Sequence, residues 1–184
     1  MRLRALTIAV ILLASVPGCS SPSSPKPSGT KSPETYAQTP QPVRLDEKAV
    51  RSPAVNSGDT LFQVLGLTAN QPRIAGSHAE VDSKNGQYVR IRVLLTNLGR
   101  TTSTVKTAKQ QLITQDGSTF APDGETMTLK RQPTVPELGA AVKLEFDLWY
   151  DIAKNLVPKA LRVVGYTTYS VEDPPAVDIP LTTR

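Results

Sequence analysis

Two carboxylates, Glu145 and Asp147, stand two positions apart in VKLEFDLWY (142–150), and two guanidinium groups, Arg90 and Arg92, do the same in GQYVRIRVLLTNLG (86–99). Paired acids are the equipment of a glycosidase, one acting as acid and the other as base or nucleophile. That reaction also needs a sugar cleft, and two acids alone do not make one. The simpler use is structural: opposite charges facing each other across neighbouring strands stabilise by roughly 0.2–1 kcal/mol a pair. The spacing predicts Arg90 and Arg92 against Glu145 and Asp147, provided that the two strands share a sheet.

Other chemistry finds less material. His78 is the single histidine and sits in a polar loop, AGSHAEVDSKNG. A Ser-His-Asp triad would need a positioned nucleophile, and no nucleophile-elbow motif supplies one. Structural zinc takes several Cys or His ligands, while residues 58–184 hold one His and no Cys. The DSKNG stretch (82–86) lacks the alternating ligand spacing of a calcium-binding loop. No catalytic residue, metal site or cofactor is therefore expected, and the chain is read as a non-enzyme. Trp149 alternates away from Phe146 and Leu148; with Tyr166 and Tyr169 it forms a candidate interaction surface, where an aromatic side chain could stack on a sugar or anchor a protein. A rim position covered by a loop is the competing reading of Trp149.

The elements that would position these groups begin near Gly58. Val89, Ile91, Val93 and Leu95 alternate with Arg90, Arg92, Leu94 and Thr96, the period-2 pattern of a half-buried strand. The 142–150 stretch alternates in the same way. Asp116-Gly117 in QLITQDGSTFAP (111–122) marks a hairpin. ETMTLKR (125–131), DTLFQVLGL (59–67) and ALRVVGYTTYS (160–170) read as further strands, and VDIPL (177–181) as a closing edge strand that tolerates Pro180. Seven or eight short strands predict an all-β fold, an immunoglobulin-like antiparallel β-sandwich over 58–184. Its expected core is Phe62, Val64, Val89, Ile91, Val93, Leu95, Leu112, Phe120, Leu129, Leu144, Phe146, Leu148 and Val163.

Residues 20–57 contain seven prolines and few large apolar side chains. Such a segment cannot bury enough surface to offset its ordering entropy, so 19–57 is expected to be a disordered Pro/Ser-rich tether, with RLDEKAV (44–50) offering at most a helical turn. Before it, MRLR supplies two positive charges, and Ala5–Val16 is an apolar run of twelve. A membrane-spanning helix needs about 20 apolar residues, whereas twelve suits the apolar region of a secretory signal.

Cys19, the single cysteine, follows that run directly. Val16-Pro17-Gly18-Cys19 resembles a bacterial lipobox. The resemblance implies cleavage between Gly18 and Cys19, a diacylglycerol on the Cys19 sulfur with or without an N-acyl chain, and attachment to the outer side of the cell membrane. Residues 1–18 are then the signal peptide. Two acyl chains hold a protein firmly where one is marginal.

Net charge is +5, but residues 58–184 carry 14 Lys/Arg and 13 Asp/Glu. The foldable part is nearly neutral and has no basic stripe with interleaved aromatics, so nucleic acid is not an expected partner.

Gly58-Asp59-Thr60, the VLLTNLG strand end, the DGSTF hairpin, VPELGAAVKLEFDLWYDI and the ALRVVGY strand together resemble the immunoglobulin-like domain of actinobacterial secreted antigens and lipoproteins of the domain-of-unknown-function type. The resemblance spans nearly all of 58–184. It implies a sandwich displayed outside the membrane and carries over no catalytic residue. The resulting expectation is a membrane-anchored, non-enzymatic binding module for a protein or envelope component. The alternative is an envelope ligand carrier or hydrolase with a pocket in the sandwich.

Overall fold

The computed structural model describes residues 42–76 and 79–183. Residues 1–41, on which the signal peptide, Cys19 and most of the tether are expected, and His78 lie outside the described residues. Along the chain the strands are β1 (Lys48–Ala49), β2 (Val55–Ser57), β3 (Thr60–Gln71), β4 (Arg73–Ala75), β5 (Glu80–Asp82), β6 (Gly86–Asn97), β7 (Ser103–Thr104), β8 (Gln111–Thr114) and β9 (Thr119–Phe120). Then come a short helix, α1 (Gly124–Leu129), and strands β10 (Glu137–Leu138), β11 (Lys143–Ala153), β12 (Pro158–Val163) and β13 (Val177–Pro180).

Two antiparallel sheets make the sandwich. One runs β1-β3-β6-β11, with β2 also paired to β3; the other runs β13-β12-β8-β9. The chain places β3 and β6 in the first sheet, β8 and β9 in the second, returns to the first with β11, and finishes in the second with β12 and β13. That alternation is the Greek-key connectivity of an immunoglobulin-like sandwich. The long strands follow their apolar alternation, because period 2 puts every second side chain on the inner face. Phe62, Val64, Val89, Ile91, Val93 and Leu95 meet Phe146, Leu148, Tyr150 and Ile152 within the first sheet, and Leu112, Leu161, Val163 and Ile179 from the second, all of them buried. Of the expected core, Phe120, Leu129 and Leu144 are only half-buried and pack at its margin. The Asp116-Gly117 hairpin forms as expected, with Gly117 at φ 89°, where a side chain would strain the turn.

Several expectations are corrected. Residues 125–131 are not a strand: Asp123 accepts a hydrogen bond from Thr126 N (2.8 Å) and starts α1. An Asp at this position satisfies an otherwise orphaned helical N–H, and that local bond outweighs the brief Met127/Leu129 alternation. The last long strand ends at Val163, so 164–170 is loop and turn. The disorder expected through Ser57 does not hold for 42–57, which pack on the sandwich and contribute β1 and β2. The central strand β6 is also not half-buried. Arg90 and Arg92 on its outer face are 8 % and 3 % exposed, because residues 42–50 lie across them.

Candidate functional site

Residues 42–50 form a strap across the outer face of the first sheet. Its fastening begins with a turn in which Glu47 N donates to Arg44 O (3.2 Å) and Arg44 N donates to Glu47 Oε1 (2.9 Å). The turn presents three charged side chains to the sheet. Arg44 Nη1 donates to both oxygens of Asp147 (3.0 and 2.7 Å), and Nη2 donates to Glu145 (3.3 Å). Glu47 receives Arg92 Nε (3.1 Å) and Nη2 (2.5 Å). Arg92 also donates to Glu145 (3.0 Å) and to Pro42 O (3.0 Å). Asp46 receives Arg90 Nη2 (2.8 Å), and its carbonyl accepts from Thr68 Oγ1 (2.8 Å). Beyond the turn, β1 pairs Lys48 with Leu67 and Ala49 with Gly66, and Val50 N donates to Leu65 O (3.1 Å).

Two of these groups, Asp46 and Arg92, are shifted by their neighbours. The Arg90 hydrogen bond holds the Asp46 carboxyl below its ordinary pKa. Burial opposes the charge on Arg92, but the Glu47 and Glu145 carboxylates overcome it and hold the guanidinium pKa above its usual value. The Glu47 side chain is 1 % exposed. Its carboxylate fits because Gly66 lies beneath it; a Cβ at that position would overlap the Glu47 carboxyl carbon.

The expected ladder between β6 and β11 is therefore met in part. The strands are neighbours, with Asp147 opposite Arg92 and Trp149 opposite Arg90. Arg92 reaches Glu145 diagonally, whereas Arg90 and Asp147 turn to the strap. Both carboxylates are engaged by guanidinium groups.

Trp149 is not exposed. It is 4 % accessible, with the Arg90 guanidinium 5.7 Å and the Lys130 ammonium 5.3 Å from its ring centroid. Tyr166 is half-buried and bridges to Gly58 at the far end of β3; Tyr169 is 94 % exposed at φ 62°. Gly58 sits beside Thr60, whose partner on β6 is Asn97, seven residues from Arg90. At about 3.3 Å per residue that is roughly 23 Å of strand, so Trp149, Tyr166 and Tyr169 do not form one aromatic surface. Tyr166 instead lines a small recess of about 150 Å³ with Lys106 and Lys109.

The larger feature is an open cleft of about 650 Å³ beside the strap. One wall is Leu45–Lys48. The floor is Leu67–Asn70 of β3, which runs on past the end of β1. The opposite wall is Leu156–Pro158 with Gln115, Leu181 and Thr183. A buried amide ties floor to wall: Gln87, 1 % exposed, accepts from Asn70 N (2.8 Å) and donates to the carbonyls of Ala153 (3.1 Å), Lys154 (3.1 Å) and Leu156 (2.8 Å). Gln115 N donates to Val157 O (2.9 Å), and Val50 bridges to Thr183. The lining mixes apolar side chains with hydrogen-bonding groups, at a volume usual for ligand sites. Among the described residues, no group of three or more His, Cys, Asp or Glu is placed to hold a metal ion, and no helix is long and apolar enough to cross a membrane.

Sequence reasoning missed Arg44, Asp46, Glu47 and Gln87. RLDEKAV did carry a signal, since its charges interrupt the Pro/Ser composition. Gln87 carried none.

The fold and cleft define a class: an antiparallel β-sandwich of immunoglobulin-like topology with a charged strap and a flanking cleft. The chain belongs to the family described as Domain of unknown function (DUF4352), whose model matches residues 53–173. Among solved structures it is similar to the yjhA protein from Bacillus subtilis (19% identity, TM-score 0.50, covering 71% of this chain and 97% of that one). It is likewise similar to a conserved hypothetical protein from Bacillus anthracis (12% identity, TM-score 0.50, covering 74% and 96%). At these identities the likeness is one of fold. No curated protein matches.

Proposed function

We propose that this chain is a lipid-anchored cell-envelope protein, akin to the actinobacterial antigen-like lipoproteins, whose sandwich is a non-enzymatic binding module with the flanking cleft as its binding site. The observation that carries the binding site is the cleft itself, open, mixed in chemistry, and held in shape by buried hydrogen bonds from Gln87, Thr68 and Arg90. Preorganised walls reduce the ordering cost of association. The space between the sheets is filled by Phe62, Ile91, Leu112, Tyr150 and Leu161, which favours an interaction module over a carrier with an internal pocket. Display outside the membrane rests on Cys19 and the lipobox-like residues before it.

The ligand that suits this lining combines apolar surface with hydrogen-bonding groups, as an envelope component or a partner's extended segment does. Photo-crosslinking in intact cells tests the reading. A benzophenone amino acid at Val157, in the cleft wall, captures a discrete adduct, while the same group at Tyr169, which is more exposed, does not. Equal capture from both positions, or none from Val157, overturns the assignment.

A further inference from the structure

We infer that residues 42–50 open and close as a unit on the intact sandwich, and that this movement controls the cleft, because the strap is one of its walls. The inference concerns regulation of the site proposed above and rests on that reading for its second half.

Three observations lead to it. First, the strap hides little apolar surface of its own. Val43 is 49 % and Leu45 109 % exposed, and Val50, at the end nearest the sandwich, is its one buried large apolar side chain. Second, its fastening is ionic: Arg44 on Asp147 and Glu145, Asp46 on Arg90, Glu47 on Arg92. A buried ion pair gains its Coulomb energy at the cost of desolvating both partners. When the whole strap lifts, Glu47 and Arg92 regain water together, so the net cost of lifting is far below that of stripping one partner away. Third, backbone pairing is short: two residues of β1, then the Val50 bond to Leu65 and the single Val50 bridge to Thr183 at the strap's end. A segment with few buried apolar contacts and few ladder bonds opens at lower free energy than core strands. Lifting removes Leu45, Asp46 and Lys48 from the cleft, so a ligand touching them holds the strap down. Reciprocally, a docked strap completes the ligand's site.

Gly66 provides the lever. Its φ is outside the left-handed region, so alanine is tolerated by the backbone, yet its Cβ would take the place of the Glu47 carboxylate. Native-state hydrogen exchange on the full chain therefore compares wild type with Gly66→Ala, and with the nearly isosteric Glu47→Gln in case the first fails to fold. Amides of 44–50 exchange through an opening that β6 does not share, and either variant speeds them by at least about ten-fold while 87–95 are unchanged. The same variants lower benzophenone capture at Val157 in cells. Exchange of 44–50 at the rate of β6 overturns the independent strap. A faster strap with undiminished capture overturns the control of the cleft. Absence of capture in wild type overturns the cleft reading and its control, while the exchange result still decides whether the strap moves alone.

Discussion

Gln87 shows how much a single buried side chain organises here. Its amide satisfies Asn70 N on the cleft floor and three carbonyls of the facing turn. Gln87→Leu keeps the volume but strands those groups. Each unsatisfied buried polar group costs about 1–3 kcal/mol, so the urea midpoint falls and cleft capture falls with it. The carboxylates answer to pH in a defined direction. Asp46 is held below its ordinary pKa by the Arg90 hydrogen bond, and Asp178 by the Arg162 hydrogen bond. A depressed folded-state pKa contributes stability that is fully present above the unfolded value, about 3.9, and is lost as pH falls through the folded value. Denaturation midpoints are expected to hold steady near neutrality and to drop below about pH 4. In Asp46→Asn that drop is smaller. Trp149 illustrates what alternation conceals. Period 2 correctly placed it opposite Phe146 and Leu148 in direction, but the outer face of this sheet is itself covered, so direction did not mean exposure.

Among the elements, β6 and β11 were legible because their apolar residues repeat every second position over eight or more residues. The Asp116-Gly117 hairpin was legible because its turn demands positive φ. The strap was not. Its bonds join Arg44 to Asp147 and Glu47 to Arg92, 103 and 45 residues apart in the chain, and ion pairs leave no periodic trace. The same gap hid the cleft, whose walls come from four separated segments. Helix α1 reads as a strand because six residues are too few to separate periods 2 and 3.6; the Asp123 cap decides. Asp123→Ala is therefore expected to cost about 0.5–2 kcal/mol, the usual worth of such a cap, measured by urea denaturation. A cut at Leu148, in the common core, is larger: Leu148→Ala costs about 2–5 kcal/mol. Arg92→Ala behaves differently from both. Stripping one partner from a buried pair typically costs about 3–5 kcal/mol, but here the strap can lift and rehydrate Glu47, which caps the loss below that range. Full destabilisation with the strap still docked would contradict this.

At the scale of the whole molecule, the proposed membrane attachment rests on Cys19. Cys19→Ala is expected to leave an uncleaved precursor or to release the protein to the medium, seen by membrane fractionation and by loss of acyl mass. The nearly neutral sandwich and its ion pairs, satisfied within the molecule, leave the cleft as the surface best built to recognise a partner. Filling that cleft tests the central claim most directly. Gln115 is exposed at its wall, so Gln115→Trp adds bulk to the cleft from an exposed position. Benzophenone capture at Val157 in intact cells is expected to disappear in Gln115→Trp while folding stability is unchanged. Capture that persists undiminished in the filled variant would show that the ligand binds elsewhere.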